Sequence, residues 1–336
     1  MNKIAKTVLM TGTALCAAGV VLSTAGYFAG GKDFTYTSDH MYVSGGNSSS
    51  RKNLTVMKKE QIDDFTKLNV DFENFDLDIR TSDDDHYYME YKLEKNGRKN
   101  PLTWKDKDGE LTLEESAGGS GSYYITYDLG IFSTHADLTE KKDALNTVIL
   151  YIPEKAQLSE AELQLSDGDL TADQILCKEM TLELLNGDLM LDKGEFEKFD
   201  AKLSDGDLNV KGLQCTDNMQ LKSGNGDVTI KKAELADGQI ALSDGDLQID
   251  NGSFNGDMKI NSSCGDVSVE MKNGSVEKTN IYLKAADGDV DTEGLSRGKS
   301  DNEEDTSVYE NKAGASAPTL NVKCSDGDIT LTESEK

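Results

Sequence analysis

Residues 201–210 read Ala-Lys-Leu-Ser-Asp-Gly-Asp-Leu-Asn-Val, and variants of this stretch recur through the second half of the chain. The constant element is the pair Gly-Asp. Its first six steps are 19, 19, 20, 19, 20 and 23 residues long, and the last is 39. The glycines of the pair are Gly168, Gly187, Gly206, Gly226, Gly245, Gly265, Gly288 and Gly327. A regular period of this length is typical of repeat proteins in which each copy forms one layer of a stack.

Apolar residues hold fixed positions relative to each glycine of the pair. Two residues after it stand Leu170, Leu189, Leu208, Val228, Leu247, Val267, Val290 and Ile329. Apolar and polar residues alternate on both sides of the glycine, and this period of two predicts strands with one buried face. A unit of about 20 residues cannot bury that face alone, so neighbouring copies must stack, about 4.8 Å apart. The pattern therefore predicts an all-β fold, a single-stranded β-solenoid (β-helix or β-roll-like) with rungs of about 20 residues.

The N-terminal segment is apolar and is expected to export the rest of the chain. Residues 7–29 carry no charge, and Lys3 and Lys6 precede them. Such a stretch is long enough to cross a bilayer as one helix, and the lysines favour a cytoplasmic N-terminus. We predict that residues 1–29 form a cytoplasmic tip and a transmembrane anchor, with a cleaved signal segment as the alternative. The chain is then a single-pass cell-membrane protein whose C-terminal domain lies outside the cytoplasm, or a secreted one if the signal is cleaved.

The remaining boundaries follow from changes in composition. Residues 30–64 are polar and rich in Gly, Ser, Asn and Lys, which predicts a flexible spacer. Residues 65–153 alternate in strand fashion and are predicted to cap the solenoid as its opening rungs, with a separate small sandwich as the alternative. Residues 154–333 hold the repeat. Within them, residues 294–318 lack the pattern and are predicted to be a mobile insertion in place of a missing turn.

Charge and cysteine usage limit the possible partners. The formal net charge of −27 disfavours nucleic acid, since the surface would repel phosphates, and favours cations or basic proteins. Cys177 and Cys215 occupy the same repeat position two rungs apart. At about 10 Å they are too distant for a disulfide, so they are predicted to be small buried apolar residues.

Three groups of residues together resemble a known family. They are the Phe-x-x-Leu-x-Val of Phe65 to Val70, the Tyr-Ile-Pro of Tyr151 to Pro153, and the repeated Ser-x-Gly-Asp-Leu/Val turns. With the N-terminal segment and spacer they resemble the LiaG-like bacterial family, whose members are labelled putative adhesins of unknown function. The similarity covers Phe65 to Thr332. The resemblance implies a β-strand-repeat solenoid in a Gram-positive cell envelope, and it supplies no catalytic residues.

The aspartates that follow the glycines form a column of carboxylates, the one candidate site that the repeat offers. They are Asp169, Asp188, Asp207, Asp227, Asp246, Asp266, Asp289 and Asp328. Stacked carboxylates could bind calcium, which prefers oxygen ligands, although the glycine-rich nonapeptide of calcium β-rolls is absent. The other interpretation is a purely structural turn, in which Asp bonds to nearby backbone N–H groups. We favour the turn and predict no resident cofactor.

The sequence offers little for catalysis. Its three histidines, His40, His86 and His135, lie outside the repeat, and no carboxylate pair stands apart from the many others. We therefore predict that the chain is not an enzyme. The favoured function is a surface interaction or adhesion-type module that binds an unknown protein or envelope polymer. The alternative is an accessory protein of the envelope stress response that works with membrane partners.

Overall fold

A computed structural model of the chain describes residues 34–36, 41–43, 54–117, 145–292, 295, 298–303 and 306–335. Strands predominate in these ranges, and the single helical segment among them is a 3-10 turn, Val276–Lys278. None of the described helical residues forms a helix long and apolar enough to cross a membrane. The predicted anchor at residues 1–29 lies outside the described ranges.

The strands are numbered in chain order. The first nine are β1 Phe34–Tyr36, β2 Met41–Val43, β3 Leu54–Ile62, β4 Lys67–Phe72, β5 Asp76–Ser82, β6 Tyr87–Glu94, β7 Leu102–Lys107, β8 Glu110–Glu115 and β9 Thr147–Pro153. The next eight are β10 Leu158–Leu165, β11 Leu170–Asn186, β12 Leu189–Asp205, β13 Leu208–Val210, β14 Leu213–Asn225, β15 Val228–Lys231, β16 Ala233–Asp244 and β17 Leu247–Phe254. The last eight are β18 Asp257–Cys264, β19 Val267–Met271, β20 Asn280–Asp287, β21 Val290–Asp291, β22 Lys299–Glu303, β23 Thr306–Asn311, β24 Thr319–Asp326 and β25 Ile329–Glu333.

Successive repeats lie in parallel, in register, one on top of another. Leu170 pairs with Leu189, and Leu189 pairs with Leu208. All three are buried, and they belong to one continuous hydrophobic core that runs through the stack. The predicted all-β stack of rungs of about 20 residues is therefore confirmed for the repeat.

The opening strands also belong to this stack, as predicted, although their order in space differs from their order in the chain. Strands β4 and β5 pair in parallel with β10 and β11 on one side and with β8 and β9 on the other. The rung formed earliest in the chain is thus covered on both sides. Strands β6 and β7 then add to β9 and β8 in antiparallel fashion and continue the sheet beyond the last parallel rung.

The C-terminal end shows the same exchange of order. Strands β24 and β25 lie between β18–β19 and β20–β21, in parallel with both. The last repeat in the chain is therefore the second-to-last parallel rung in space. The sequence could not indicate this, because every rung presents the same apolar columns to its neighbours and any two of them can pair.

Two predictions of irregular structure are wrong in part. Within the predicted mobile insertion at 294–318, β23 pairs antiparallel with both β20 and β22, and Tyr309 is buried in the core. This hairpin covers the outer edge of β20, which would otherwise be exposed to pairing with other chains. Within the predicted flexible spacer at 30–64, β1 and β2 form an antiparallel pair, and β3 pairs with β6.

The cysteines behave as the column argument predicts. Cys177, Cys215 and Cys324 are buried and free, and Cys264 is exposed and free. Cys177 and Cys215 both pair with Phe196, one on each side, which places them two rungs apart. Burial raises the pKa of the Cys177 thiol to about 12, so this side chain stays a neutral, apolar group in the core.

Candidate functional site: the aspartate corner and the lysine strip

The glycines of the repeat form a tight column at one corner of the rungs. Gly226 has φ +130°, a conformation that residues with a side chain rarely adopt, and the carbonyl oxygen of Gly206 fills the space where a Cβ would lie. The same contact recurs on the neighbouring rungs. Glycine is therefore required here both for its backbone angle and for the close approach of one rung to the next.

The aspartates beside these glycines form a hydrogen-bonded ladder, which we call the aspartate corner. The backbone N–H of each aspartate donates to the Oδ1 of the aspartate on the previous rung, at 2.8–3.0 Å. In spatial order the ladder runs through Asp76, Asp169, Asp188, Asp207, Asp227, Asp246, Asp266, Asp328 and Asp289. All eight aspartates predicted from the sequence are brought together in this one column.

Sequence reasoning missed the first member, Asp76. Asp76 is not preceded by glycine, because Phe75 occupies the position that glycine holds in the later repeats. The signal that could have found it is the following Leu77 and Ile79, which pair with Leu170 and Ala172, the two apolar positions after the next turn of the stack. Burial raises the pKa of the Asp76 carboxyl above its usual value, which fits its place nearer the covered end of the stack.

Magnitudes explain how the corner tolerates its charge. Carboxylates on neighbouring rungs, about 4.8 Å apart, repel each other by about 1 kcal/mol in a water-like medium. A hydrogen bond to a charged acceptor contributes about 1.5–3 kcal/mol, so each rung gains at least as much as it loses. In the column before the glycine, neutral amides separate carboxylates: Asn186 Nδ2 donates to Asp167 at 2.7 Å, and Asn225 Nδ2 donates to Asp205 at 2.6 Å.

Replacing Asp227 should distinguish the acceptor role of the ladder from its charge. In Asp227→Ala the N–H of Asp246 loses its 2.9 Å partner, so we expect a loss of about 1–2 kcal/mol in the free energy of unfolding. Asp227→Asn keeps an oxygen acceptor and removes a charge, so its stability should stay within about 0.5 kcal/mol of the parent chain. Urea unfolding measures both, and an Asn variant as unstable as the Ala variant would contradict the acceptor role.

The calcium hypothesis remains a prediction from the sequence. Within the described residues, no group of three or more His, Cys, Asp or Glu side chains is placed to hold a metal ion. Because the Oδ1 of every ladder aspartate except the terminal Asp289 already accepts a backbone N–H, we expect millimolar calcium to raise the melting temperature no more than sodium at equal ionic strength. A clearly larger rise with calcium would show that the corner binds it.

The broad outer face of the rungs carries a second feature, which we call the lysine strip. Its members are outward-facing residues on β14, β16, β18, β24 and β20, namely Gln220, Lys222, Gln239, Ala241, Lys259, Asn261, Asn321, Lys323, Tyr282 and Lys284. The strip contains no carboxylate. On the adjoining rungs of the same face, by contrast, lysines are ion-paired, as in Lys198–Glu179 at 2.8 Å and Lys202–Glu183 at 2.6 Å.

A buried charge cluster replaces the repeat corner at the opening end of the stack. Glu115 Oε1 accepts from Arg98 Nη1 at 2.8 Å, and both side chains are almost fully buried. Its Oε2 accepts the backbone N–H groups of Glu73 and Asn74, at 2.9 and 2.6 Å. One carboxylate therefore pairs a buried cation and closes a turn that has no Gly-Asp pair.

The described residues offer no arrangement typical of a catalytic centre. His86 is exposed beside a turn, while His40 and His135 lie outside the described ranges. The aspartate corner is exposed and accepts hydrogen bonds from the backbone, and the lysine strip lies on an open sheet face.

Comparison with known proteins gives one family and several distant structures. The model of the Toastrack DUF4097 family matches residues 65–332. A "putative cell adhesion protein" from Clostridium sporogenes is 16% identical, covering 83% of this chain and 100% of that one, with a TM-score of 0.25. A "putative adhesin" from Bacteroides fragilis is 13% identical, covering 84% and 98%, with a TM-score of 0.36. A "putative lipid binding protein" from Parabacteroides distasonis is 10% identical, covering 84% and 97%, with a TM-score of 0.42. No curated protein matches the chain.

Proposed function

The chain belongs to the Toastrack DUF4097 family, and from this premise we propose that it is a non-catalytic interaction module of the bacterial cell envelope. The family match spans the residues whose motifs resemble the adhesin-like family, and that resemblance is confirmed. The proposal extends it to a role for this chain: a stiff β-stack that holds a binding face at the cell surface.

The proposal rests on the regular arrangement of the outward side chains of the repeat. Outward side chains of the repeat stand in columns, one residue per rung, because neighbouring rungs pair in parallel and keep their register apart from local bulges. Such columns repeat about every 4.8 Å on an open sheet face, which suits an extended polymer or a protein surface. The core behind them is continuous and apolar, so the face keeps its geometry when a partner binds.

Location is part of the same proposal. Residues 1–29 would anchor or export the chain and leave the stack outside the cytoplasm. A tag at the C-terminus of the full chain should then be cleaved by protease added to intact cells. Protection of the tag until the cells are lysed would contradict the proposed location.

Binding is tested by immobilising the purified full-length chain in detergent and exposing it to solubilised bacterial envelope. Specific retention of envelope material, competed by excess free chain, is the expected result. As a control, the same envelope material is passed over immobilised chain that a substitution in the glycine column has unfolded, which measures adhesion to denatured protein. Equal retention by the folded and the unfolded chain would overturn the proposal.

A further inference from the structure

We propose that the lysine strip binds a linear acidic polysaccharide along the axis of the stack. This rests on the proposed envelope function and deepens it, because it names the chemical class of the partner. The ligand is identified by its shared chemistry: sugar rings and hydroxyls joined to regularly spaced anionic groups.

The charge of the strip is the first argument. The chain carries a net charge of −27, yet the strip holds four lysines and no carboxylate. No described carboxylate lies within 4.0 Å of Lys222, Lys259, Lys284 or Lys323, whereas several lysines on neighbouring rungs are paired. Unpaired cations grouped on an otherwise acidic protein are available to an anionic partner.

The spacing of the lysines is the second argument. Lys222 and Lys259 are two rungs apart, and Lys259, Lys323 and Lys284 occupy three successive rungs. The cations therefore stand on four of five successive rungs, which are about 4.8 Å apart, with Lys222, Lys323 and Lys284 in one column and Lys259 in the column beside it. One step is comparable with the length of one sugar residue in an extended chain, so anionic groups of such a polymer could meet a lysine on every rung of the strip except that of β16, where Gln239 and Ala241 stand.

The neutral residues of the strip supply the third argument. The amides of Gln220, Gln239, Asn261 and Asn321 can both donate to and accept from hydroxyl groups. At the end of the strip, Tyr282 lines an open cavity of about 400 Å³ together with Ile281 and with Lys312, which is ion-paired with Glu310 at 3.6 Å. A sugar ring can pack its apolar face on the tyrosine while its hydroxyls meet the amides.

The surroundings of the strip restrict the ligand to a single narrow chain. The aspartate corner runs along one side, and Asp237 and Asp257 stand on the other. These carboxylates repel a broad anionic surface such as a membrane or a nucleic acid duplex. A single glycan strand can lie on the lysines without covering either acidic border.

The test uses full-length chain and three polymers: polygalacturonate with carboxylate groups, phosphomannan with phosphate groups, and neutral dextran. We expect one or both acidic glycans to bind at low salt, dextran not to bind, and binding to weaken steeply as salt is added. The acidic polymer that binds more tightly identifies the anionic group. The combined variant Lys259→Gln, Lys284→Gln, Lys323→Gln should bind about eightfold more weakly, a factor of about two for each lost exposed contact.

A matched variant with Lys58, Lys105 and Lys231 changed to Gln loses the same charge at exposed positions outside the strip and should bind like the parent. Tyr282→Ala should weaken binding, while Tyr282→Phe should retain it. Equal loss in both lysine variants, binding of dextran, or no binding of either acidic glycan would overturn the inference. Envelope retention that survives the strip variant would overturn the inference and leave the proposed function standing.

Discussion

Gly226→Ala is expected to destroy the native stack around its rung. The new methyl group would lie 2.2 Å from the Gly206 carbonyl oxygen, and the backbone at φ +130° disfavours any side chain. The contact is with main chain on a neighbouring rung, so a rotamer change cannot relieve it and the rungs must separate. We expect a loss above about 4 kcal/mol, the range reserved for disrupted cores and backbone strain. Thermal melting followed by far-UV circular dichroism measures it.

Gly274→Ala is the matched control for this substitution. Gly274 also has a positive φ, +75°, but no atom lies within 4 Å of the position of its added Cβ. Only the backbone penalty of about 1–2 kcal/mol then applies. If the two variants melted at the same temperature, the glycine column would not depend on close contact between rungs.

Glu115→Ala is expected to produce the second large loss. It leaves the Arg98 guanidinium buried without its carboxylate and removes the acceptor of two backbone N–H groups in the turn at Glu73 and Asn74. Breaking a buried ion pair from one side costs about 3–5 kcal/mol, since the remaining charge stays uncompensated. Urea unfolding should show this loss as a lower midpoint.

The neighbouring Glu114→Ala provides the control. Glu114 is exposed on the outer side of the same strand, and its replacement should change the free energy of unfolding by no more than about 0.5 kcal/mol. A Glu115 variant as stable as the Glu114 variant would mean that water replaces the carboxylate in the cluster without cost.

The content of each rung could be predicted from the sequence, while the order of the rungs could not. The columns at Leu170, Leu189 and Leu208 follow from period-two alternation, and they pair as expected. Asp289 and Asp328 were placed in the correct column, but their order in space is reversed. Equivalent positions of the repeat show which side chains face the core, and all rungs are alike in that respect. The order depends on which edges remain open when the later strands pair, which no local pattern encodes.

The candidate sites differ in the same way. The aspartate corner is visible in the sequence because its residues recur at one repeat position. The lysine strip has no such signature, since its lysines occupy two different positions of the repeat and two of its rungs exchange order. The buried Arg98–Glu115 pair was also missed, because nothing in the spacing of two surface-type residues 17 apart indicates burial.

The position of β24 and β25 restricts the order in which the rungs of the stack can form. The chain emerges from its N-terminus onward, so the earlier repeats can stack before the later ones are available. The place between β18 and β20 is filled only after the segment from Thr319 onward has emerged, because β24 and β25 follow β20 in the chain. The rung of β24 and β25 therefore completes the stack from inside, and in a chain that stops before Thr319 any strand edge left unpaired there is open to pairing with another chain.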